Sequence, residues 1–222
     1  MDEAELLWNA VDTYAAEQLL EPDAALAAVR ADSAAAGLPE IAVSPMQGKL
    51  LQLMVGMQGA HRVLEVGTLG GYSTVWLARG LPEDGQVVTV EVDPHHAEVA
   101  RANLAHAGVD DRVEVIVGPG LDVLPQLVDG PPFDFVFLDA DKPNNAAYLG
   151  WALRLTHPGA VIIVDNVVRR GGLADAASED PAVQGARKVL DAVRAEARLS
   201  ATVVQTVGSK GYDGFLLARV LD

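Results

Sequence analysis

Short runs of β-branched and apolar residues alternate along most of the chain with stretches of helical character. The runs predict five strands, at about 62–66, 87–91, 113–117, 133–138 and 160–164, with helices between them. Two more strands, near 201–207 and 213–220, leave no room for a helix between them and predict an antiparallel hairpin. Because strands alternate with helices, we expect an α/β fold with a doubly wound, mostly parallel sheet covered on both faces.

The first 58 residues are rich in Ala and Leu and predict helices at about 3–20 and 23–36. Ser44 is suited to cap a third helix at 45–58, with proline at its first position and Gln47 completing a capping box. A chain of 222 residues is long enough for one substantial core. We therefore expect a single domain over 1–222, with a helical segment at 1–58 and a sheet core at 59–222.

A glycine-rich turn follows the first predicted strand, within the segment 63–73. Glycines let a backbone turn tightly and approach a ligand closely, which is typical of a nucleotide-like cofactor. The dinucleotide fingerprint G-x-G-x-x-G is not met, because Leu69 stands where its second glycine belongs. Glu65 would sit badly beside a pyrophosphate but suits a ribose hydroxyl or the amino group of a methionine moiety. The turn thus predicts S-adenosylmethionine, with a generic α/β turn as the alternative.

An acidic residue also ends the second predicted strand. Glu91 lies 26 residues after Glu65. An acid at this place in an α/β sheet is positioned to hold both ribose hydroxyls of an adenosine. Glu91 therefore strengthens the prediction of an adenosine-containing cofactor.

Polar side chains follow the fourth and fifth predicted strands. Asp139 ends the fourth, and Asp165 and Asn166 end the fifth. If these strands are neighbours, their carboxyl ends meet at one edge of the sheet, close to the glycine turn. Two carboxylates and an amide oxygen suit Mg²⁺, or Mn²⁺ or Ca²⁺, and do not suit zinc. Ordinary turn-forming Asp and Asn residues are the alternative interpretation.

Composition narrows the range of partners and compartments. The net charge of −15 argues against a nucleic-acid or anionic-membrane footprint, which needs clustered Lys and Arg. The absence of cysteine excludes disulfides and thiolate chemistry. There is no signal-peptide pattern and no apolar run of about 20 residues. We expect a cytoplasmic protein that binds no membrane and no nucleic acid.

Three motifs in order, Glu65-Val-Gly67-x-x-x-Gly71-Tyr-Ser73, Asp139-Ala-Asp-Lys142 and Asp165-Asn166, resemble the cation-dependent O-methyltransferases. That family includes the caffeoyl-CoA and catechol O-methyltransferases and their bacterial relatives, and the resemblance covers about residues 40–220. It implies a Rossmann-like class I methyltransferase sheet of seven strands with the last strand antiparallel. It also implies that the N-terminal helices help to bind the acceptor and to form a homodimer.

The resemblance also implies roles for individual residues. Asp139, Asp165 and Asn166 match the ligands of a divalent cation. Lys142, close to Asp139 in the catalytic motif, matches the general base. By position, the expected contacts of S-adenosylmethionine are Val43, Glu65, Gly67, Thr68, Ser73, Glu91, Gly120 and Asp139. The implied reaction is methyl transfer to a hydroxyl group of a catechol-type small molecule.

The sequence constrains the identity of the acceptor less than it constrains the type of reaction. Ala140-Asp141 stands where the catechol enzymes carry His-Trp, which places the chain nearer the caffeoyl-CoA and bacterial branch. Residues 1–45 contain nine acidic side chains and one basic one, which disfavours the phosphates of coenzyme A esters. We therefore expect a small neutral or cationic catechol, such as a phenylpropanoid, flavonoid or natural-product intermediate. Arg169 and Arg170 are the features that would suit an anionic acceptor, although loop arginines are usually solvated.

Other functional classes stay open at this point. A nicotinamide-dependent dehydrogenase is disfavoured by Leu69. A methyltransferase acting on nucleic acid or protein is disfavoured by the acidic balance and by Asp139-Ala-Asp-Lys142 after the fourth strand. An S-adenosylmethionine-dependent enzyme with a non-catechol acceptor is one alternative. A cofactor-binding scaffold without turnover is another, and it leaves Lys142 and the metal set unexplained.

Overall fold

The computed structural model describes residues 3–222 as alternating helices and strands. In chain order the α-helices are α1 Glu3–Leu19, α2 Ala24–Ala35, α3 Pro45–Gln58, α4 Tyr72–Gly80, α5 Pro94–His106, α6 Gly120–Val123, α7 Asn145–Leu155 and α8 Pro181–Ala195. The strands are β1 Arg62–Val66, β2 Gln86–Glu91, β3 Val113–Val117, β4 Phe133–Leu138, β5 Thr156–Val164, β6 Leu199–Gly208 and β7 Gly211–Val220. Between residues 3 and 222, no helix combines the length and apolar character that a membrane span requires.

The strands form one sheet in the order β3-β2-β1-β4-β5-β7-β6. Strands β1 to β5 pair in parallel, whereas β7 is antiparallel to both of its neighbours, β5 and β6. This confirms the predicted doubly wound, seven-stranded α/β sheet with its last strand antiparallel. The chain reverses its direction of travel across the sheet between β1 and β4. Ligands of such sheets bind outside the carboxyl ends of the strands at this reversal.

The predicted limits of β1, β3 and β4 are confirmed, whereas β5 and the hairpin strands are longer than predicted. Strand β5 begins at Thr156 because this residue pairs with Phe133 across an irregularity in the register between Phe133 and Phe135. In the hairpin, Gly208 pairs with Gly211, so the turn contains only two residues. The last residue pairs between β6 and β7 therefore form closer to the turn than the apolar pattern indicates.

The central strands are buried on both faces. Phe135 and Phe137 pack with the helices on one face, and Val136 and Leu138 pack with those on the other. All four side chains are inaccessible to solvent. Alternate residues of a strand point to opposite faces, so both helical layers are anchored on β4. Because neither face meets water there, the strand is apolar without interruption from Phe135 to Leu138.

The start of α3 confirms one half of the predicted capping box and contradicts the other. The Ser44 side chain accepts a hydrogen bond from the Gln47 N–H, at 3.2 Å, and Pro45 occupies the first turn. The Gln47 side chain does not return to the backbone of Ser44. Instead, its amide Nε2 donates to Asp165 Oδ2 at 2.7 Å, across 118 positions of the chain. A hydrogen bond to a carboxylate is stronger than the neutral hydrogen bond that a capping box would supply, and the glutamine makes the stronger one.

Candidate cofactor and metal site

The glycine turn between β1 and α4 lies directly against the end of β4. Gly67 and Gly71 have positive φ angles of 102° and 82°, which side chains rarely tolerate. A Cβ atom at Gly67 would overlap the backbone carbonyl of Asp139. The Gly67 N–H also donates to the Val90 carbonyl on β2, at 2.9 Å. The predicted tight turn is confirmed, and its close approach to a ligand stays a prediction.

Glu91 holds the turn in place from the end of β2. Its Oε2 accepts hydrogen bonds from the N–H groups of Thr68, at 3.1 Å, and Leu69, at 2.7 Å, and its Oε1 accepts from Asp93 N–H at 3.0 Å. Leu69 has a positive φ of 50°, which these hydrogen bonds help to maintain. The carboxylate lies in the cavity wall, where further acceptor positions remain for a ligand hydroxyl. Its contact with a ribose stays a prediction.

Glu65 lies behind the cavity wall and is fully buried. Its oxygens accept hydrogen bonds from three hydroxyl groups, those of Ser73 at 2.6 Å, Thr74 at 2.5 Å and Thr89 at 2.7 Å. Burial raises the pKa of Glu65 to about 7; the three hydroxyl groups oppose the rise, and the charge of Asp139 adds to it. Of its partners, Ser73 lines the cavity. Glu65 therefore orients Ser73 from behind, and its own contact with a cofactor stays a prediction.

A cavity of about 770 Å³ opens at the carboxyl ends of the strands. It is large enough for a nucleotide-like ligand together with a small second molecule. Most of the residues predicted for the site line it: Val43, Gly67, Thr68, Ser73, Glu91, Gly120, Asp139, Lys142 and Asn166. Glu65 and Asp165 are buried beside it. Sequence reasoning did not indicate Tyr148, whose ring lies so close to Gly120 that a Cβ atom there would come within 2.8 Å of it.

The predicted acidic pair forms at the ends of β4 and β5. Leu138 and Val164 are direct partners in the parallel register, so Asp139 and Asp165 follow on adjacent strands. Asp139 Oδ1 accepts a hydrogen bond from Lys142 Nζ at 2.6 Å. The structure thus brings together the predicted metal ligands and the predicted base.

Asp165 is the buried member of the pair. Its Oδ2 accepts from Gln47 and its Oδ1 from the Asn166 N–H, at 2.8 Å. Burial, and after it the negative charge of Asp139, raises the pKa of Asp165 to about 7 against the opposing effects of Lys142, Asn166 and Gln47. Two carboxylates at adjacent strand ends, where the charge of one raises the pKa of the other, favour either a shared proton or a bound cation.

The donor set fits a divalent cation of the Mg²⁺ type. Within residues 3–222 no three His, Cys, Asp or Glu side chains gather as a metal site, so the predicted set depends on the amide of Asn166 as its third ligand. Asn166 lines the cavity with φ at 54°, a left-handed conformation that Asn tolerates better than most residues. Carboxylate and amide oxygens without nitrogen or sulfur are the ligands of Mg²⁺, Mn²⁺ and Ca²⁺.

Asp141, in the motif that contains Lys142, also lines the cavity. It is held by Tyr148, whose hydroxyl donates to Oδ1 at 2.5 Å, and by Asn144, whose amide donates to Oδ2 at 2.5 Å. Burial and the hydrogen bond to this carboxylate raise the pKa of Tyr148. Tyr148 keeps its proton and acts as a donor that fixes the wall. No motif in the sequence indicates this pairing, because it depends on how α7 packs on the sheet.

The strand order, the glycine turn, the acidic residue at the end of β2 and the cavity at the reversal point together form the class I methyltransferase arrangement. The sequence identifies a narrower family than the fold does. The model of the O-methyltransferase family matches residues 16–221, and the chain belongs to this family.

Individual relatives match over nearly the whole chain. The catechol O-methyltransferase of Mycobacterium tuberculosis H37Rv is 58% identical over 210 residues, which cover 95% of this chain and 94% of that protein. The O-methyltransferase from Bacillus cereus, solved in complex with SAH, is 55% identical with a TM-score of 0.95, covering 97% of this chain and 99% of that one. TomG from Streptomyces achromogenes, involved in tomaymycin synthesis and solved with SAM, is 47% identical with a TM-score of 0.95 and full coverage of both chains.

We expect Glu65→Gln to remove a pH-dependent loss of stability. The folded pKa of about 7 lies above the ordinary value of 4.5, so stability is lost as the pH rises between these values. The loss amounts to about 3 kcal/mol, at 1.36 kcal/mol per pKa unit. Urea unfolding at pH 4.5 and 7.5, with chelator and without cofactor, measures it. The difference in free energy of unfolding, variant minus native chain, should be larger at pH 7.5 than at pH 4.5 by that amount.

Glu98→Gln is the control, because Glu98 is exposed on α5. This variant should follow the native chain at both pH values. Parallel pH profiles for Glu65→Gln and the native chain would contradict the buried, partly protonated state of Glu65.

Proposed function

We propose that this protein, an S-adenosylmethionine-dependent O-methyltransferase, methylates one hydroxyl of a catechol-type small molecule and requires Mg²⁺ or a similar cation. The observation that carries the proposal is the acidic pair of Asp139 and Asp165 beside Lys142, at the edge of the cavity that the glycine turn borders. The name of the M. tuberculosis relative and the SAM and SAH complexes of the two neighbours support it.

The cofactor is proposed to occupy the part of the cavity nearest β1 and β2. The backbone of Gly67 and the Ser73 hydroxyl would meet its polar amino-acid end, and Glu91 its ribose. Gly120, which has no Cβ atom, lets the Tyr148 ring pack against the backbone of the cavity wall. Val43 would close the cavity from the N-terminal segment, and Asp139 would lie between cofactor and acceptor.

The acceptor is proposed to lie at the β4–β5 end of the cavity. A divalent cation held by Asp139, Asp165 and Asn166 would supply positive charge that makes an adjacent hydroxyl more acidic. Lys142, whose Nζ lies 2.6 Å from Asp139 Oδ1, would take the proton of that hydroxyl when its amine is in the neutral form. The cavity walls keep the acceptor oxygen oriented toward the methyl donor and exclude competing water. With a second hydroxyl in the ortho position, the acceptor would offer two oxygens to the cation.

We expect methyl transfer to a catechol to depend on a divalent cation. The measurement is mass-spectrometric detection of methylated product from S-adenosylmethionine and a panel of catechols, with Mg²⁺ and then with excess chelator. Turnover should stop on chelation and return when Mg²⁺ is restored. The matched monohydroxy analogues should not be methylated. Turnover that survives chelation would show that Asp139, Asp165 and Asn166 are not a required metal site, and cofactor binding without any turnover would favour a scaffold.

We expect Lys142→Met to lower kcat by a factor of about 10² to 10⁴, the usual contribution of a general base. Affinity for S-adenosylmethionine, measured by calorimetry, should change little, because the substitution removes a group at the acceptor end. Lys188→Met is the control, since Lys188 is exposed on α8, away from the cavity. A kcat within a few-fold of the native value in Lys142→Met would contradict its role as base.

We also propose that the chain forms a homodimer through α1. Among the residues described, this helix has no buried side chain, although Leu7, Val11 and Tyr14 are apolar and more than half exposed. Their spacing places them on one stripe of the helix. A helix of this length is marginal in water unless an apolar face is covered. A second copy of the chain would cover this stripe, whereas the net charge of −15 disfavours nucleic acid and anionic membranes.

We expect light scattering to give the mass of a dimer for the native chain and that of a monomer for Val11→Glu. A charge in the centre of a self-contacting apolar stripe has no partner and must be desolvated. The control is Val128→Glu, because Val128 is similarly exposed but lies far along the chain from α1. A native monomer, or equal masses for the two variants, would contradict the proposal.

A further inference from the structure

Arg169 lines the same cavity as Lys142 and Asn166, at the β4–β5 end where the acceptor is proposed to bind. It lies in the segment that follows β5, where Asn166, Arg169 and Arg170 have positive φ angles of 54°, 54° and 55°. Residues other than glycine rarely adopt this conformation, and clusters of such residues are found where a site requires a particular backbone. The conformation of this segment determines where the Arg169 side chain lies.

Asp213, near the start of β7, holds the segment in this conformation. Its Oδ1 accepts hydrogen bonds from the N–H groups of Val168 at 3.1 Å, Arg169 at 2.8 Å and Gly214 at 2.9 Å. The Val167 N–H donates to the Gly214 carbonyl at 2.9 Å. Hydrogen bonds therefore hold the backbone at Arg169 against the sheet, and this fixes the position of its Cα atom.

The guanidinium group of Arg169 has few partners. Within residues 3–222 its nearest carboxylate is that of Asp213, with Nη1 and Oδ2 at 4.0 Å, and its Nε is buried without a hydrogen-bond partner. Lys142, by contrast, is 2.6 Å from Asp139. A guanidinium carries five N–H donors in a planar fork that matches a carboxylate. Arg169 thus has unused donors at the acceptor end of the cavity.

The acidic N-terminal segment is the reason to expect a neutral or cationic acceptor, and the structure places those acids elsewhere. From residues 3–45, the cavity is lined by Pro39, Ile41, Ala42 and Val43, which are all apolar. The acidic side chains of this segment do not line the cavity. The charge that an acceptor meets at this end is therefore that of Arg169 and of the groups around Lys142.

We propose that Arg169 is a specificity-determining residue that binds a carboxylate on the side arm of the acceptor, so that carboxylated catechols are the preferred substrates. This inference rests on the proposed catechol O-methyltransferase function. The guanidinium would receive the carboxylate in a bidentate pair while the two hydroxyl groups lie near Lys142. The acceptor replaces the distant contact with Asp213 and satisfies the buried Nε donor.

The test compares 3,4-dihydroxybenzoate with 3,4-dihydroxybenzamide, which differ in charge and little in shape. For the native chain we expect kcat/KM to be at least about tenfold higher for the carboxylate, mainly through a lower KM, since charge-assisted hydrogen bonds contribute at this level. In Arg169→Gln this preference should disappear, because kcat/KM for the carboxylate falls to the level of the amide. Arg169→Lys should retain part of the preference, because it keeps the charge without the fork.

Arg170→Gln is a matched control, because Arg170 has the same backbone conformation but is exposed and does not line the cavity. It should leave the preference unchanged. Calorimetric binding of both compounds to the native chain with SAH and Mg²⁺ gives a second readout that needs no turnover and no variant. Equal affinity and equal kcat/KM for the two compounds, or equal effects of the two Gln variants, would overturn the inference while leaving catechol methylation intact. Absence of methylation of every catechol would instead contradict the proposed function.

Discussion

The approach of the Gly67 backbone to the carbonyl of Asp139 joins the two halves of the site. Gly67 directly follows β1 and Asp139 directly follows β4, and the space between them admits no Cβ atom. The glycine turn on one side and the acidic pair on the other are therefore set by a single backbone contact. Helices on both faces hold these strand ends, with Phe137 and Leu138 buried on opposite sides. A side chain at Gly67 would displace the glycine turn and Asp139 together.

Two carboxylates are buried near this contact, and their different partners explain their different roles. Glu65 is saturated by the hydroxyls of Ser73, Thr74 and Thr89, so it acts as an internal support. Asp165 has one amide and one N–H as partners and lies beside a second carboxylate. Burying a charge is costly unless it is paired. Only at Asp165 does the surrounding charge leave a stabilising role for a cation.

The sequence predicts this architecture well where local pattern and topology agree. Buried parallel strands such as β4 appear as apolar runs, and the meeting of Asp139 and Asp165 follows from the rule that carboxyl ends share an edge. Gln47 is different, because a capping pattern carries no information about a partner 118 positions away. The placement of Arg169 depends on three left-handed residues and on Asp213, and no propensity scale encodes that combination.

The overall charge of the molecule bears on how an anionic acceptor would be recognised. A net charge of −15 repels such a molecule at long range, most strongly at low ionic strength. Salt screens that repulsion beyond about 8 Å, whereas a contact inside a partly desolvated cavity is screened much less. Recognition of a carboxylate by Arg169 would therefore act only after entry, as selection among catechols that have already reached the site. The net charge of the protein repels an anionic acceptor at long range, whereas Arg169 would attract its carboxylate at short range. Raising the ionic strength would therefore favour entry of the acceptor and leave most of the discrimination by Arg169 in place.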